Sequence, residues 1–125
     1  MRIENIKFKA KSLCSGKWVI GDLFHEPHGV VCIVQHTDDT DRFVTVDPST
    51  VCQFTGMKDC KDKEVWEGDI IRNPEFPFEK RTVTWNEIGS SFMLIDKDEY
   101  ENRAFSFLVL FKKWTVVGNK FDKEE

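Results

Sequence analysis

No run in this sequence approaches the roughly 18 uninterrupted apolar residues that a membrane-spanning helix requires, so a helical membrane protein is not expected. The opening residues, Met1 to Lys7, lack the apolar core of a secretory leader, and the chain is expected to stay in the cytoplasm. Charge of one sign is also missing. With 18 Lys and Arg against 22 Asp and Glu, the net charge of −4 gives no field that would draw a phosphate backbone unspecifically. No Cys-x-x-Cys pair occurs: Cys14, Cys32, Cys52 and Cys60 are scattered, which reads as packing thiols and not as a disulfide framework.

Recognisable catalytic motifs are absent as well. There is no Gly-x-Ser-x-Gly elbow, no phosphate-cradling glycine loop and no His-Glu-x-x-His, so no enzyme activity and no cofactor are expected. His25, His28 and His36 are metal-capable but scattered, and Asp38-Asp39-Thr40-Asp41 lacks the glycine and distal glutamate of an EF-hand loop. A bound metal is not expected.

What the chain does have is aromatic and β-branched residues. It holds 11 Phe, 4 Trp and 1 Tyr among Val-, Ile- and Thr-rich stretches, within 125 residues that are 40% hydrophobic, the profile of pleated, half-buried strands. Ile6, Phe8 and Ala10 alternate with Lys7, Lys9 and Lys11, predicting a strand with its lysines toward water. Trp18 to Phe24 reads as a second strand, bent or interrupted at Gly21, and Val30 to Val34 as a strand buried on both faces. Phe43 to Val46, Val51 to Gly56, Glu64 to Trp66, Arg81 to Trp85, Ser91 to Ile95 and Thr115 to Asn119 continue the pattern, with a loop from Asn73 to Pro77. The run Ala104 to Phe111 fits either a short helix or a buried strand, and the helix is favoured. Gly21-Asp22-Leu23 and Gly68-Asp69-Ile70 repeat one Gly-Asp-apolar step, each shortly after a Trp; coincidence explains this more simply than duplication.

Three stretches are more specific. Pro48-Ser49-Thr50-Val51 leads to Gln53-Phe54-Thr55-Gly56-Met57-Lys58-Asp59, and Glu67-Gly68-Asp69-Ile70-Ile71 follows, with Gly16-Lys17-Trp18-Val19 and Val116-Val117-Gly118-Asn119 outside this core. In this order they resemble the signature of the YopX family of phage and prophage proteins. The resemblance implies a mostly β fold with a small SH3-type barrel over 46–125 and an N-terminal β subdomain over 1–45 packed beside it, possessing at most one short helix. It implies no activity. The family usually turns through Asn-Gly where this chain has Lys61-Asp62, so a non-glycine residue at positive φ, or a looser turn, is expected.

Within the motif, Thr55, Gly56, Gly68, Asp69 and Gly118 read as scaffold, and Lys58, Trp66, Glu67 and Asp69 as candidates for a binding surface. Glu67 and Asp69 would share a face on a regular strand, but Gly68 between them favours a turn in which Asp69 bonds backbone. Cys60, beside Lys58 and Lys61, is the one thiol whose surroundings suggest reactivity. The expected partners are copies of the chain itself or another phage or host protein, engaged through open sheet edges. A nucleic acid contacted by Lys7, Lys9, Lys11 and Lys17 is the alternative.

Overall fold

A computed structural model describes residues 2–87, 89–96 and 113–122. They form ten β-strands with three single-turn 3-10 segments, and no helix among them is long and apolar enough to cross a membrane. The chain divides into two compact units, Met1–Phe54 and Thr55–Glu125. The stretch 104–111, read from sequence as a short helix, lies outside the described residues.

In the first unit, β1 (Phe8–Lys11), β2 (Trp18–His25), β3 (Val31–His36) and β4 (Asp41–Val46) pair antiparallel in chain order. Alternation sends Ala10, Ile33 and Val46 to one face, where they are buried with Val31, and Phe8, Val19, Leu23, Val44 and Val51 pack against them. The sheet curls until Ser12 bridges Val46, with Leu13 N–H donating to Thr45 C=O at 3.1 Å and Asp47 N–H to Lys11 C=O at 2.9 Å. Asp47 then caps the turn Pro48–Thr50 by accepting from Ser49 N–H, and Thr50 Oγ1 accepts from Lys11 N–H at 2.9 Å. The chain thereby returns as β5 (Cys52–Lys58), whose first residues pair with β1.

Two expectations need correction here. β2 is continuous through Gly21, because the glycine serves proximity to a neighbour and not a break: a Cβ there would stand 2.2 Å from the Val34 carbonyl oxygen. The lysines of β1 are half-buried and not simply solvated, with Lys9 and Lys11 Nζ 4.5 and 5.2 Å from the Trp18 ring and Lys7 Nζ 4.7 Å from Phe54. The expected burial of β3 on both faces is observed from Val31 to Val34.

The second unit contains the remainder of β5, then β6 (Glu64–Trp66), β7 (Asp69–Asn73), β8 (Phe76–Asn86), β9 (Ser91–Asp96) and β10 (Thr115–Asn119). The last four form an antiparallel sheet ordered β10-β7-β8-β9 over a core of Val65, Ile71, Val83, Leu94 and Trp114. Pro74 and Glu75 alone turn β7 into β8, so the loop expected through Pro77 is shorter; Asn73 holds it by accepting from Glu75 N–H at 3.0 Å. Among the described residues β9 and β10 end this sheet without pairing to each other. In the first unit one bridge replaces a continuous ladder. Among the described residues both sheets are therefore open, and the closed barrel implied by the family resemblance is not the architecture they form.

Between β5 and β6 the expected strain is present. Asp62 sits at φ 66°, while its N–H donates to Asp59 C=O at 3.0 Å and Asp59 N–H to Lys63 C=O at 2.8 Å. Asp62→Gly should relieve the left-handed backbone and stabilise the fold by about 1 kcal/mol, measured by urea unfolding. Its exposed ion pair with Lys58, at 3.6 Å, offers little to offset that gain.

Candidate functional site

The motif residues Thr55 to Asp59, Glu67 to Ile71 and Val116 to Asn119 lie in the second unit, where the side chains of Thr55, Asp59 and Asp69 secure backbone. Thr55 donates its hydroxyl to Val65 C=O at 2.7 Å and accepts from Met57 N–H. Gly56 adopts φ 82° within β5. Asp59, 7% exposed, accepts from Lys61 and Lys63 N–H through one oxygen, each at 2.9 Å, and from Val116 N–H through the other at 3.0 Å. Burial works against its charge, but these three backbone donors outweigh burial and hold the carboxyl below its ordinary pKa.

Asp69 forms the second clasp. Only 3% exposed, it accepts from Trp66 N–H at 2.7 Å and from the Asn119 side-chain amide at 2.9 Å. The same amide reaches Glu67 C=O, and Asn119 Oδ1 accepts from Phe121 N–H at 3.0 Å. Gly68, at φ 84°, donates to Val83 C=O at 2.7 Å and accepts from Lys120 N–H at 2.9 Å. Gly118 follows a register shift in the β10–β7 pairing that leaves Val117 without a register partner.

The sequence candidates are thus sorted by position. Asp69 turns into the backbone, while Glu67 is half-buried; the Trp66 ring is buried at 4% exposure, a core residue; Lys58 is exposed beside Asp62. Cys60 and Cys14 are exposed free thiols, and Cys32 and Cys52 are buried ones. Among the described residues no group of three or more His, Cys, Asp or Glu is arranged to hold a metal.

The sequence did not single out the face of the first unit opposite its core. Registers place Ile20, Asp22 and Phe24 of β2 beside Val34 and His36 of β3 and Asp41 and Phe43 of β4. Phe24 and Phe43 meet edge to face, centroids 5.6 Å apart, yet remain 45% and 54% exposed. At the end of this face His36 stands between two carboxylates, Nε2 at 2.6 Å from Asp22 and Nδ1 at 2.7 Å from Asp41. Those hydrogen bonds, first Asp41 and then Asp22, raise its pKa above the ordinary value. The tight turn Thr37–Thr40 puts His36 opposite Asp41, and the β2–β3 register, which alternation alone does not fix, puts Asp22 on the same face.

Two substitutions test the clasps. Gly68→Val places a β-branched residue at positive φ with its Cβ 3.3 Å from Asn119 Nδ2, and should cost at least about 2 kcal/mol; an unchanged melting temperature refutes the assignment. Asp59→Asn should cost about 1–3 kcal/mol near neutral pH, since an amide cannot accept from all three N–H groups through both its atoms. Because the folded pKa is lowered, the carboxylate's contribution is present above the unfolded value near 3.8 and is lost as pH falls through the folded one. The stability gap between wild type and Asp59→Asn should therefore narrow below about pH 4 in acid titrations followed by denaturant unfolding.

Comparison with curated proteins finds no match. The family model described as YopX protein matches residues 7–125, nearly the whole chain, and so covers both β units and the Asp59 and Asp69 clasps. The chain belongs to the YopX family.

Proposed function

We propose that the protein is a non-catalytic binding module of phage or prophage origin, working in the cytoplasm of a bacterial host and engaging protein, first of all a second copy of itself. The observation that carries this reading is the exposed Phe24–Phe43 pair on a sheet that ends at β4, where no described strand pairs with the outer edge over Asp41 to Val44. Apolar side chains beside an open edge favour strand addition, because backbone hydrogen bonds and aromatic burial are gained together. The absence of catalysis is supported by the state of the motif acids: Asp59 and Asp69 spend their oxygens on backbone and amide donors.

A second reading has its own observation. Lys7, just before β1, and Lys9 and Lys11 within it lie over Phe54 and Trp18, an arrangement of cations and rings that suits single-stranded nucleic acid. The negative net charge makes it the weaker of the two.

Sedimentation equilibrium over a concentration series separates them. Wild type should gain mass with concentration, and Phe24→Ser with Phe43→Lys should stay monomeric with an unchanged circular dichroism spectrum. A wild type that remains monomeric throughout defeats self-association. Binding to labelled single-stranded DNA that weakens steeply with salt would establish the second reading in its place.

A further inference from the structure

The Asp22–His36–Asp41 cluster lies at the start of the β4 edge proposed for docking, and its geometry constrains its chemistry. A carboxylate only accepts hydrogen bonds, and a neutral imidazole has one N–H to donate. Both His36 nitrogens nevertheless stand at hydrogen-bond distance from a carboxylate oxygen, 2.6 Å to Asp22 and 2.7 Å to Asp41. Both bonds can be made at once only by the imidazolium. Three adjacent strands are joined in this way, since Asp22 belongs to β2, His36 ends β3 and Asp41 opens β4.

We propose that His36 is a proton-operated clamp: as imidazolium it ties β2 to β4 across the end of β3, and loss of its proton releases one tie and loosens the start of β4.

The surroundings suit this role. On β2 and β4 the facing groups are the two aspartates. Asp38 and Asp39 lie exposed in the connecting turn, and Arg42 pairs with Gln35 on the other face. Glu4 and Lys7, from the segment before and into β1, line a groove of about 460 Å³ with His36 and Asp22 over Ile20 and Val34. Negative groups outnumber positive ones around the ring, so the proton is held more tightly than in an ordinary histidine of pKa near 6.5. A pKa raised on folding stabilises the folded form fully below the unfolded value, and that contribution disappears as pH rises through the folded one. The clamp is therefore closed in mildly acidic solution and opens above about pH 6.5.

Titration of the wild-type ring by NMR, together with hydrogen exchange of the β4 amides paired with β3, tests this. Both ring nitrogens should carry protons at about pH 6, and the midpoint should lie above 6.5 and fall toward it in Asp22→Asn and in Asp41→Asn. After correction for base catalysis, the opening equilibrium of β4 should rise severalfold between about pH 6 and pH 8.5 in wild type and stay flat in His36→Gln. A ring that titrates at or below 6.5, or a His36→Gln variant that keeps the wild-type pH dependence, overturns the proposal. If His36→Gln does not fold, the wild-type ring titration decides alone.

Discussion

The second unit depends on two buried carboxylates. A chain that reverses direction at Asp59 to Lys63 and again at Glu67 to Gly68 leaves backbone N–H groups pointing away from any ladder, and each would be costly to bury unpaired. Asp59 collects those of Lys61 and Lys63 in its own turn and that of Val116 in β10, and Asp69 accepts from Trp66 N–H and from the Asn119 amide. The partners come from distant parts of the chain: Asp59 joins its own turn to β10, and Asp69 joins the end of β6 to the end of β10. The long-range order β10-β7-β8-β9 is thus secured by ionic hydrogen bonds at its corners and by Val65, Ile71, Val83 and Leu94 between them. The buried side-chain nitrogens and oxygens among the described residues all have partners, the state such corners require.

The first unit solves the same problem differently. Its corners are tied by short polar side chains, Asp47 and Thr50 in one turn and Ser12 in another, where Ser12 Oγ accepts from Cys14 N–H at 3.2 Å. Its charged residues work across strands on the face opposite the core. That division explains why the motif acids, which look chemical in sequence, are spent on the scaffold, while the titratable group on this face is His36, held between Asp22 and Asp41.

Strand content was legible because alternation reports burial on a half-buried sheet: Phe8 and Ala10 inward, Lys9 and Lys11 outward, and Val31 to Val34 buried throughout. The scaffold role of Gly68-Asp69 was legible too, since a glycine at positive φ beside an acid leaves few alternatives to a bonded turn. The interruption allowed for at Gly21 is not found, because a close approach to another strand selects glycine just as a break does, and only the position of the Val34 carbonyl distinguishes them. The Phe24–Phe43 pair and the His36 cluster were missed for a related reason. Their residues come from three strands, and the register that unites them is fixed by hairpin turns whose lengths the sequence leaves open. Openness of the sheets was likewise illegible, because closure depends on strand curvature and not on any residue pattern.

In this chain the motif acids Asp59 and Asp69 hold backbone and partner side chains together. A double-mutant cycle on Asp69→Ala and Asn119→Ala measures this directly in denaturant unfolding, as the two carboxylate and amide groups lie 2.9 Å apart in a buried setting. A coupling of about 1–3 kcal/mol is the expected result. Independent, additive losses would contradict the account, because the residues would then stabilise the fold without acting through each other.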